Sequence, residues 1–274
     1  MSVRVGTSGW RYPPWRGVFY PKGLPQRREL EYLSRALTSV EINGTFYSLQ
    51  RPDSFRQWAD ATPADFTFAV KGPRFVTHMK KLNDVATPLA NFYASGVLAL
   101  GDKQGPFLWQ LPPNLGFDAD RLARFFDLLP RTTTQAATLS RRHDDRMTDR
   151  SLTETPVDRP LRHALEVRHR SFENADFPAL LREHDIALVV ADTAGRWPLL
   201  RDVTSGLVYV RLHGDAELYT SGYTPEALDR WAADIRAWIA DSRDVQVHFD
   251  NDVKVHAPFD AMGLQQRLGL VPAS

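Results

Sequence analysis

The sequence predicts a (β/α)8 barrel of the TIM type, and two observations support that prediction. Eight short apolar segments recur along the chain, each rich in Val, Phe or Tyr and polar at its C-terminal end. Helical patterns or loops separate them, as alternating parallel strands and helices require. The predicted strands are residues 3–7, 39–43, 67–71, 107–111, 163–171, 188–192, 207–213 and 245–250. A chain of 274 residues is long enough to form this barrel as a single domain, 1–274.

The connections between these strands also carry signals. Apolar residues at spacings of three and four predict helices, and Thr224 followed by Pro225 predicts an N-cap and a first helical residue. Residues 193–205 lack a helical pattern, so the helix after strand 6 is expected to be reduced to a loop. Residues 44–47 are expected to continue strand 2. The predicted helices lie near residues 30–37, 52–61, 88–95, 122–129, 177–184, 224–238 and 257–268.

Residues 132–160 form a polar part of the chain. Their first half has helical character, and the second half is charged and rich in turn residues. The segment has too few apolar residues to form a core of its own. We therefore predict a helix plus an exposed excursion within the one domain. The alternative architecture is a doubly wound open sheet, but the sequence lacks its glycine-rich nucleotide fingerprint.

The composition excludes several classes of protein. The 34 basic and 33 acidic residues leave a net charge of +1, which does not favour a nucleic-acid partner. Cys is absent, so disulfides and thiolate metal sites are excluded. The N-terminus enters a strand without an apolar signal region, and no apolar run approaches the roughly 18 residues that span a bilayer. We therefore expect a cytoplasmic protein without a membrane partner.

The loop after strand 1, residues 8–25, is rich in aromatic side chains. They stand among glycines and prolines, where small polar residues are more usual. Such rings either fill the mouth of the barrel or stack on a ligand, and the sequence leaves both interpretations open. The aromatic residues are Trp10, Tyr12, Trp15, Phe19 and Tyr20.

Polar and charged side chains collect at the C-terminal ends of the strands, where barrels of this type carry their functional groups. If the apolar strand residues face the helices, alternate positions point to the barrel axis. A register slip of one residue would reverse all side chains of a strand. The expected inward set comprises Gly6, Glu41, Asn43, Lys71, Gln110, Glu166, Arg168, Asp192, Arg211, His213, His248 and Asp250.

Two interpretations of this set remain open. The charges can neutralise one another in a structural network, which stabilises a fold only weakly because desolvation offsets the attraction. Alternatively, they bind a ligand. In that case Lys71, Arg168 and Arg211 are expected to converge on one anion. Glu166 and Glu41 would then serve as acid and base.

The other candidates are expected to support this chemistry. His213 is a candidate proton shuttle, and Asp192 and Asp250 are further candidate catalytic carboxylates. We expect no cofactor, and no HxH, HExxH or DxD-like spacing supports the alternative of a divalent metal held by His213 and a carboxylate. The further candidate ligand-binding residues are Trp10 and Tyr47, which could stack on a sugar or base, with Asn43, His78 and Gln110.

The same residues resemble the hallmarks of the YecE-like family, a bacterial domain of unknown function, over nearly the whole chain. The resemblance implies a (β/α)8 barrel and supplies no reaction. Arg11 replaces a small or polar residue, and Asp250 stands where many members have Asn, which makes a metal or acid role at that position less transferable. The motifs, in order, are GTSGW at 6–10 with Trp15 and FYP at 19–21, VEIN with TFY within 40–47, FAVK with TH within 68–78, EVRH at 166–169, VRLHG at 210–214 and FDND at 249–252.

We therefore expect an enzyme, a hydrolase or isomerase, that acts on an anionic polyhydroxy substrate such as a phosphoester or sugar derivative. Its expected partner is a small anionic ligand. Two alternatives remain open. One is a non-catalytic module that binds nucleic acid or a metabolite, and the other is a glycoside hydrolase that uses a pair of carboxylates.

Overall fold

The computed structural model describes residues 2–270 and contains eight parallel strands. They form a closed barrel in the order of the chain, from β1 to β8. The predicted (β/α)8 architecture is therefore confirmed. The strands are β1 (Val3–Ser8), β2 (Ser39–Ile42), β3 (Thr67–Lys71), β4 (Gln104–Gln110), β5 (His163–Glu166), β6 (Ile186–Asp192), β7 (Leu207–Leu212) and β8 (Asp244–Phe249).

Helices connect most of the strands. The connection from β6 to β7 has no helix among the described residues, as predicted. Thr224 caps its helix through a hydrogen bond that Oγ1 accepts from the Ala227 N–H at 3.2 Å. The α-helices are α1 (Glu29–Ala36), α2 (Gly44–Tyr47), α3 (Pro52–Asp60), α4 (Ala86–Ala94), α5 (Ala119–Asp127), α6 (Thr133–Ser140), α7 (Asp176–Glu183), α8 (Pro225–Ala240) and α9 (His256–Leu268).

Five strands end earlier than the sequence predicted, and the difference is largest for β2 and β5. Asn43 adopts helical backbone angles, φ −84° and ψ −21°, so 44–47 is the helical turn α2 and not a continuation of β2. Strand β5 ends at Glu166. Beyond it, the Nδ1 atom of His169 accepts a hydrogen bond from the Ser171 N–H at 3.1 Å and turns the chain. Strands β2 and β5 are therefore both ended by local turns.

The chain forms two compact units. The first comprises Met1–Glu41, Ala61–Thr67 and Ala187–Ser274, and the second comprises Ile42–Asp60 and Phe68–Ile186. Within the first unit, β1 pairs with β2 and β8, and β7 pairs with β6 and β8. Within the second, β4 pairs with β3 and β5.

The aromatic loop contributes to the core of the first unit. Trp15 is fully buried and packs against Phe19 with ring centroids 5.6 Å apart. Phe19 in turn contacts Tyr32 of α1 at 5.5 Å and Phe259 of α9 at 6.0 Å. These edge-on contacts bury large apolar area. Most of the loop's rings therefore serve as core side chains.

Strand β4 shows how the second unit orients its side chains. Phe107 and Trp109 both contact Phe92 of α4, each at 5.8 Å between ring centroids. Trp109 also contacts Phe125 of α5 at 5.3 Å. Since side chains alternate along a strand, residue 110 points to the face opposite these helices. This alternation positions the candidate site.

The polar segment 132–160 begins with helix α6, and its remainder carries mostly exposed side chains. It is nevertheless attached to the second unit. Met147 is fully buried, and the Leu152 N–H donates to the carbonyl of Ala94 at 2.8 Å. Thr133 Oγ1 also donates to the Val157 carbonyl at 2.8 Å.

Within residues 2–270, no helix combines the length and apolar character that crossing a membrane requires.

Candidate functional site

Three polar residues at the strand ends of the second unit lie on one face. Lys71 pairs with Leu108, and Gln110 pairs with Glu166. Because Gln110 follows Leu108 by two residues, all these side chains leave the sheet on the side opposite Trp109. Lys71, Gln110 and Glu166 are buried, with 8%, 5% and 0% of their surface exposed. The strand phase inferred from the sequence agrees with this register.

Glu166 is held by the residue two positions after it. The Nε atom of Arg168 donates to Glu166 Oε1 at 2.8 Å, with side-chain exposures of 10% and 0%. A charge-assisted hydrogen bond of this length favours the ionised carboxylate. The pair therefore places a carboxylate and a guanidinium at the C-terminal end of β5.

His78 lies on a short π-helical turn, Phe75–Met79, in which the Lys80 N–H donates to the Phe75 carbonyl at 2.9 Å. Its Nδ1 atom is 2.8 Å from Thr77 Oγ1. Burial lowers the pKa of His78 to about 4, and the charges of Lys71 and Arg168 add to this effect. The imidazole is therefore neutral at pH 7, and the surrounding cations favour this neutral form.

The charges around His78 are mostly positive. Lys71, Arg168 and Arg74 all disfavour its protonated form, and Glu166 is the carboxylate that opposes them. We call Lys71, Arg74, His78 and Arg168 the basic cluster. Such a concentration of cations favours an anionic ligand.

Helix α2 brings two aromatic rings to the basic cluster. Lys71 Nζ lies 4.6 Å from the centroid of the Phe46 ring, and His78 contacts the same ring edge-on at 5.1 Å. Tyr47 is 69% exposed. Thr45 connects α2 to β3, because its Oγ1 lies 2.6 Å from the Lys71 carbonyl and 2.8 Å from the Ile42 carbonyl. The position of Phe46 beside Lys71 is thus supported by the backbone.

Two further residues shape the edge of this site. The Oδ1 atom of Asn43 is buried and has no hydrogen-bond partner among the described residues. An acceptor in that condition is available to a ligand. Gly72 follows Lys71, and a Cβ atom there would come within 2.3 Å of the Trp109 ring. Only glycine allows the chain to pass so close to that side chain.

The first unit contains a cluster of charged side chains around Arg211. The guanidinium donates to both oxygens of Glu41, with Nη2–Oε1 at 2.9 Å and Nε–Oε2 at 3.1 Å. Nη2 also donates to Asp250 Oδ2 at 3.0 Å and to Ser8 Oγ at 3.2 Å. Arg211 and Glu41 are fully buried. This is a bidentate ion pair removed from water.

Tyr209 and His213 complete the Arg211 cluster. The Tyr209 hydroxyl donates to Glu41 Oε2 at 2.6 Å. His213 places Nε2 at 3.3 Å from Arg211 Nη1 and Nδ1 at 3.0 Å from Asp250 Oδ2. Since Arg211 can only donate, Nε2 accepts and, in the neutral ring, Nδ1 carries the proton. The sequence reasoning missed Tyr209 and Ser8, although Tyr209 shares the strand face of Arg211.

Asp192 takes a different direction from the one expected. It pairs with Leu212, whereas Arg211 pairs with Ala191, so Asp192 and Arg211 leave their strands on opposite faces. Its carboxylate accepts from the Tyr223 hydroxyl at 3.1 Å. Burial raises its pKa. The Asp192 carboxylate therefore points away from the face of Arg211, although the His213 N–H donates to the Asp192 carbonyl at 2.9 Å.

Asp252 is another acid that the sequence reasoning did not select, although it ends the FDND motif. Burial raises its pKa to about 6, and the neighbouring charge of Asp250 adds to the shift.

Trp10, a predicted stacking residue, is only 6% exposed, and its carbonyl accepts from the Tyr20 hydroxyl at 2.7 Å. His248 is fully buried, and its Nε2 lies 3.1 Å from Ser39 Oγ.

Among residues 2–270, no three His, Asp or Glu side chains are grouped as a metal ion would require. The His213–Asp250 pair supplies only two potential ligands, and both contact Arg211. These residues do not resemble a divalent-metal site.

The closed barrel of eight parallel strands with interleaved helices places the protein among the (β/α)8 barrels of the TIM type. The family model described as "Protein of unknown function DUF72" matches residues 4–273. The chain therefore belongs to the DUF72 family. This confirms the YecE-like resemblance of its motifs.

Individual relatives agree with the family assignment. The UPF0759 protein YecE of Escherichia coli (strain K12) is 28% identical over 129 residues, which cover 47% of this chain and 44% of that protein. The match thus spans less than half of the relative's length. A crystal structure of a DUF72 family protein from Thermotoga maritima has a TM-score of 0.77 and 26% identity, covering 98% of this chain and 100% of that one. A DUF72 family protein from Enterococcus faecalis, with a TM-score of 0.74, 16% identity and coverage of 98% and 96%, shares the fold.

Proposed function

We propose that this protein is an enzyme acting on an anionic polyhydroxy substrate, either a phosphoester or a sugar derivative. The observation that supports this proposal is the basic cluster of the second unit. It groups three cations and a neutral imidazole beside one carboxylate, Glu166, at the strand ends. A histidine with a lowered pKa among converging charges is typical of functional sites.

The anion is proposed to bind at Lys71 and Arg168. Lys71 presents a compact ammonium, and Arg168 presents a planar guanidinium that suits the two oxygens of a phosphate or carboxylate. Arg211 is less suited to this role than the sequence suggested. Its donors already engage Glu41, Asp250 and Ser8.

Acid–base chemistry is proposed for Glu166 and His78. Glu166 accepts a hydrogen bond from Arg168 at 2.8 Å, and its carboxylate can also accept a proton. An arriving anion would offset the cations around His78, so ligand binding is expected to raise the pKa of that imidazole toward its ordinary value. Glu41 and His213, the other acid–base candidates, hydrogen-bond within the Arg211 cluster. We therefore propose that they orient Arg211.

The anion site can be tested by thermal shift with inorganic phosphate. Lys71→Ala and Arg168→Ala are each expected to weaken phosphate binding by roughly 2–5 kcal/mol, the usual effect of truncating a buried charged partner. The exposed neighbours Lys80→Ala and Arg170→Ala serve as matched controls. Near-ultraviolet circular dichroism would verify that all variants are folded. Equal protection of wild type and the Lys71 and Arg168 variants would refute the anion site.

Two further measurements separate the proposal from its alternatives. Turnover of phosphomonoesters that is lost in Glu166→Gln, while phosphate still protects the variant, would indicate catalysis. A nucleic-acid module would instead show binding of single strands that weakens steeply with salt, because each neutralised phosphate releases a counterion. A single small anion that binds to two cations should instead have an affinity that depends only weakly on salt concentration.

A further inference from the structure

A cavity of about 250 Å³ in the second unit adjoins the basic cluster. It lies between the helical turn α2 and the π-helical turn 75–79. Asn91 and Pro88 of α4 form another part of its wall. The residues nearest the basic cluster that line it are Phe46, Tyr47, Arg74, Phe75 and Met79.

The Phe46 ring connects the cavity to the cations. Lys71 Nζ lies 4.6 Å from the centroid of this ring, and His78 contacts it edge-on at 5.1 Å. Phe46 also lines the cavity. A ligand group in the cavity would thus lie one aromatic ring away from the Lys71 ammonium. This spacing suits a single small molecule that carries both an apolar and an anionic part.

The walls expose an unusual amount of apolar side chain to water. Tyr47 is 69% exposed, Met79 is 64% exposed and Phe75 is 36% exposed. Large apolar side chains that meet at a concave surface are typical of ligand sites. Arg74 lies with its guanidinium carbon 5.9 Å from the centroid of the Tyr47 ring, and no carboxylate among residues 2–270 forms an ion pair with it. The rim of the cavity is therefore positive.

The size of the cavity and the charge at its rim indicate which class of ligand would fit it. Its volume lies below the range of roughly 300–1,000 Å³ for drug-sized ligands, but above the roughly 150 Å³ of a cavity that binds benzene. It therefore suits one ring group. A planar ring could lie against Tyr47, while the positive rim favours an anionic molecule.

We infer that the cavity binds a planar aromatic ring of the substrate, whose anionic group lies at Lys71 and Arg168. This inference rests on the proposed function and narrows its substrate class to anionic compounds that carry an aryl or heteroaryl group. Phe75 and Met79 provide apolar contact to the ring. Arg74 provides a cation at the open edge.

3-Phenylpropylphosphonate and propylphosphonate test the inference, because they differ in the ring, resist hydrolysis and carry a linker that can pass the Phe46 ring. Calorimetric titration of the wild type is expected to show about tenfold tighter binding of 3-phenylpropylphosphonate, as stacking of one ring on an aromatic side chain provides. Tyr47→Ala and Met79→Ala are expected to lose most of this preference and to keep the affinity for propylphosphonate. Met262→Ala changes a methionine of α9 that is 41% exposed, and it should retain the preference.

The outcomes separate this inference from the proposed function. If both phosphonates bind the wild type equally and Lys71→Ala weakens both, the anion site stands and the ring site is refuted. An equal effect of Met79→Ala and Met262→Ala would likewise refute the ring site. If neither phosphonate nor inorganic phosphate binds, the proposed anion site fails and the ring site fails with it.

Discussion

At the residue scale, the ionisable side chains of the Arg211 cluster and of the basic cluster have different neighbours. Arg211 lies among acceptors, with Glu41 and Asp250 on its guanidinium. His78 lies among cations, with Lys71 and Arg168 acting on it. A buried arginine between two carboxylates contributes to structure, whereas a surplus of cations attracts an anion. Substitutions in the Arg211 cluster are therefore expected to lower the stability of the fold, and substitutions in the basic cluster are expected to weaken anion binding.

Arg211→Ala is expected to destabilise the fold by roughly 3–5 kcal/mol, because it would leave the buried Glu41 carboxylate without its counter-charge. Arg211→Lys should cost less, since it keeps the charge and loses the bidentate geometry. Urea unfolding measures both. Arg56→Ala is the control, because Arg56 is 51% exposed and pairs with Asp53 in water, where such pairs contribute at most about 1 kcal/mol. Similar losses for Arg211→Ala and Arg56→Ala would contradict this account.

His163 is expected to make the fold sensitive to acid. It is buried, Nδ1 accepts from the Trp109 indole at 3.2 Å, and Nε2 lies 2.8 Å from the Pro130 carbonyl, so the neutral ring satisfies both partners. Burial lowers its pKa to about 3. The unfolded chain therefore binds more protons between about pH 6.5 and 3, and stability falls as pH falls through that window.

The His163 contribution can be isolated by comparing the wild type with His163→Gln, whose amide can make the same two hydrogen bonds. Between pH 6.5 and 5.5 the wild type should lose about 1 kcal/mol more unfolding free energy than the variant. Asp252, with a pKa raised to about 6, acts in the opposite direction but is common to both proteins. Above pH 7 the two free energies should change in parallel. A parallel course in acid as well would disprove the assignment.

At the element scale, the π-helical turn and the residues after it bear backbone strain. Lys81, Leu82 and Asp84 adopt positive φ values of 47°, 67° and 49°. Residues with a Cβ rarely adopt this region, and π-helical turns and strained backbone both concentrate at functional sites. The same segment carries His78, which belongs to the basic cluster, and Met79, which lines the cavity.

Glycine substitutions at two adjacent lysines should have opposite effects. Lys81→Gly relieves the positive φ and is expected to stabilise the fold by about 1 kcal/mol. Lys80→Gly, at a φ of −82°, is expected to destabilise it by roughly 0.5–1 kcal/mol, because glycine gains freedom in the unfolded chain without relief of strain. Thermal and urea unfolding measure both signs. Changes of the same sign would show that Lys81 is not strained.

At the scale of the whole molecule, the purified protein is expected to contain no stoichiometric divalent ion. The cations of the basic cluster would repel such an ion, and the carboxylates of the Arg211 cluster already contact a guanidinium. Elemental analysis after dialysis measures this directly. A content of about one ion per chain that is lost in His213→Ala would overturn the expectation and favour metal-assisted hydrolysis.

The sequence determined the fold and part of the candidate site, because both depend on local periodicity. Alternation along single strands put Lys71, Gln110 and Glu166 on one face. The Thr224–Pro225 start signal and the apolar spacing after it predicted helix α8. Alternation is a property of one strand and its turn residues. The alternation of side chains can therefore be predicted from the sequence wherever a strand has the expected phase.

The tertiary structure decided which side chains meet. Arg211 and Glu41 are 170 positions apart, and no local pattern specifies that they form an ion pair. Asp192 departs from the expected face because register is set between strands, and a one-residue change reverses a side chain. The turn α2 and the π-helical turn at 75–79 likewise had no periodic signal. Contacts over such distances in the chain form only when strands and loops pack together, so the sequence could name candidates but only the packed structure grouped them.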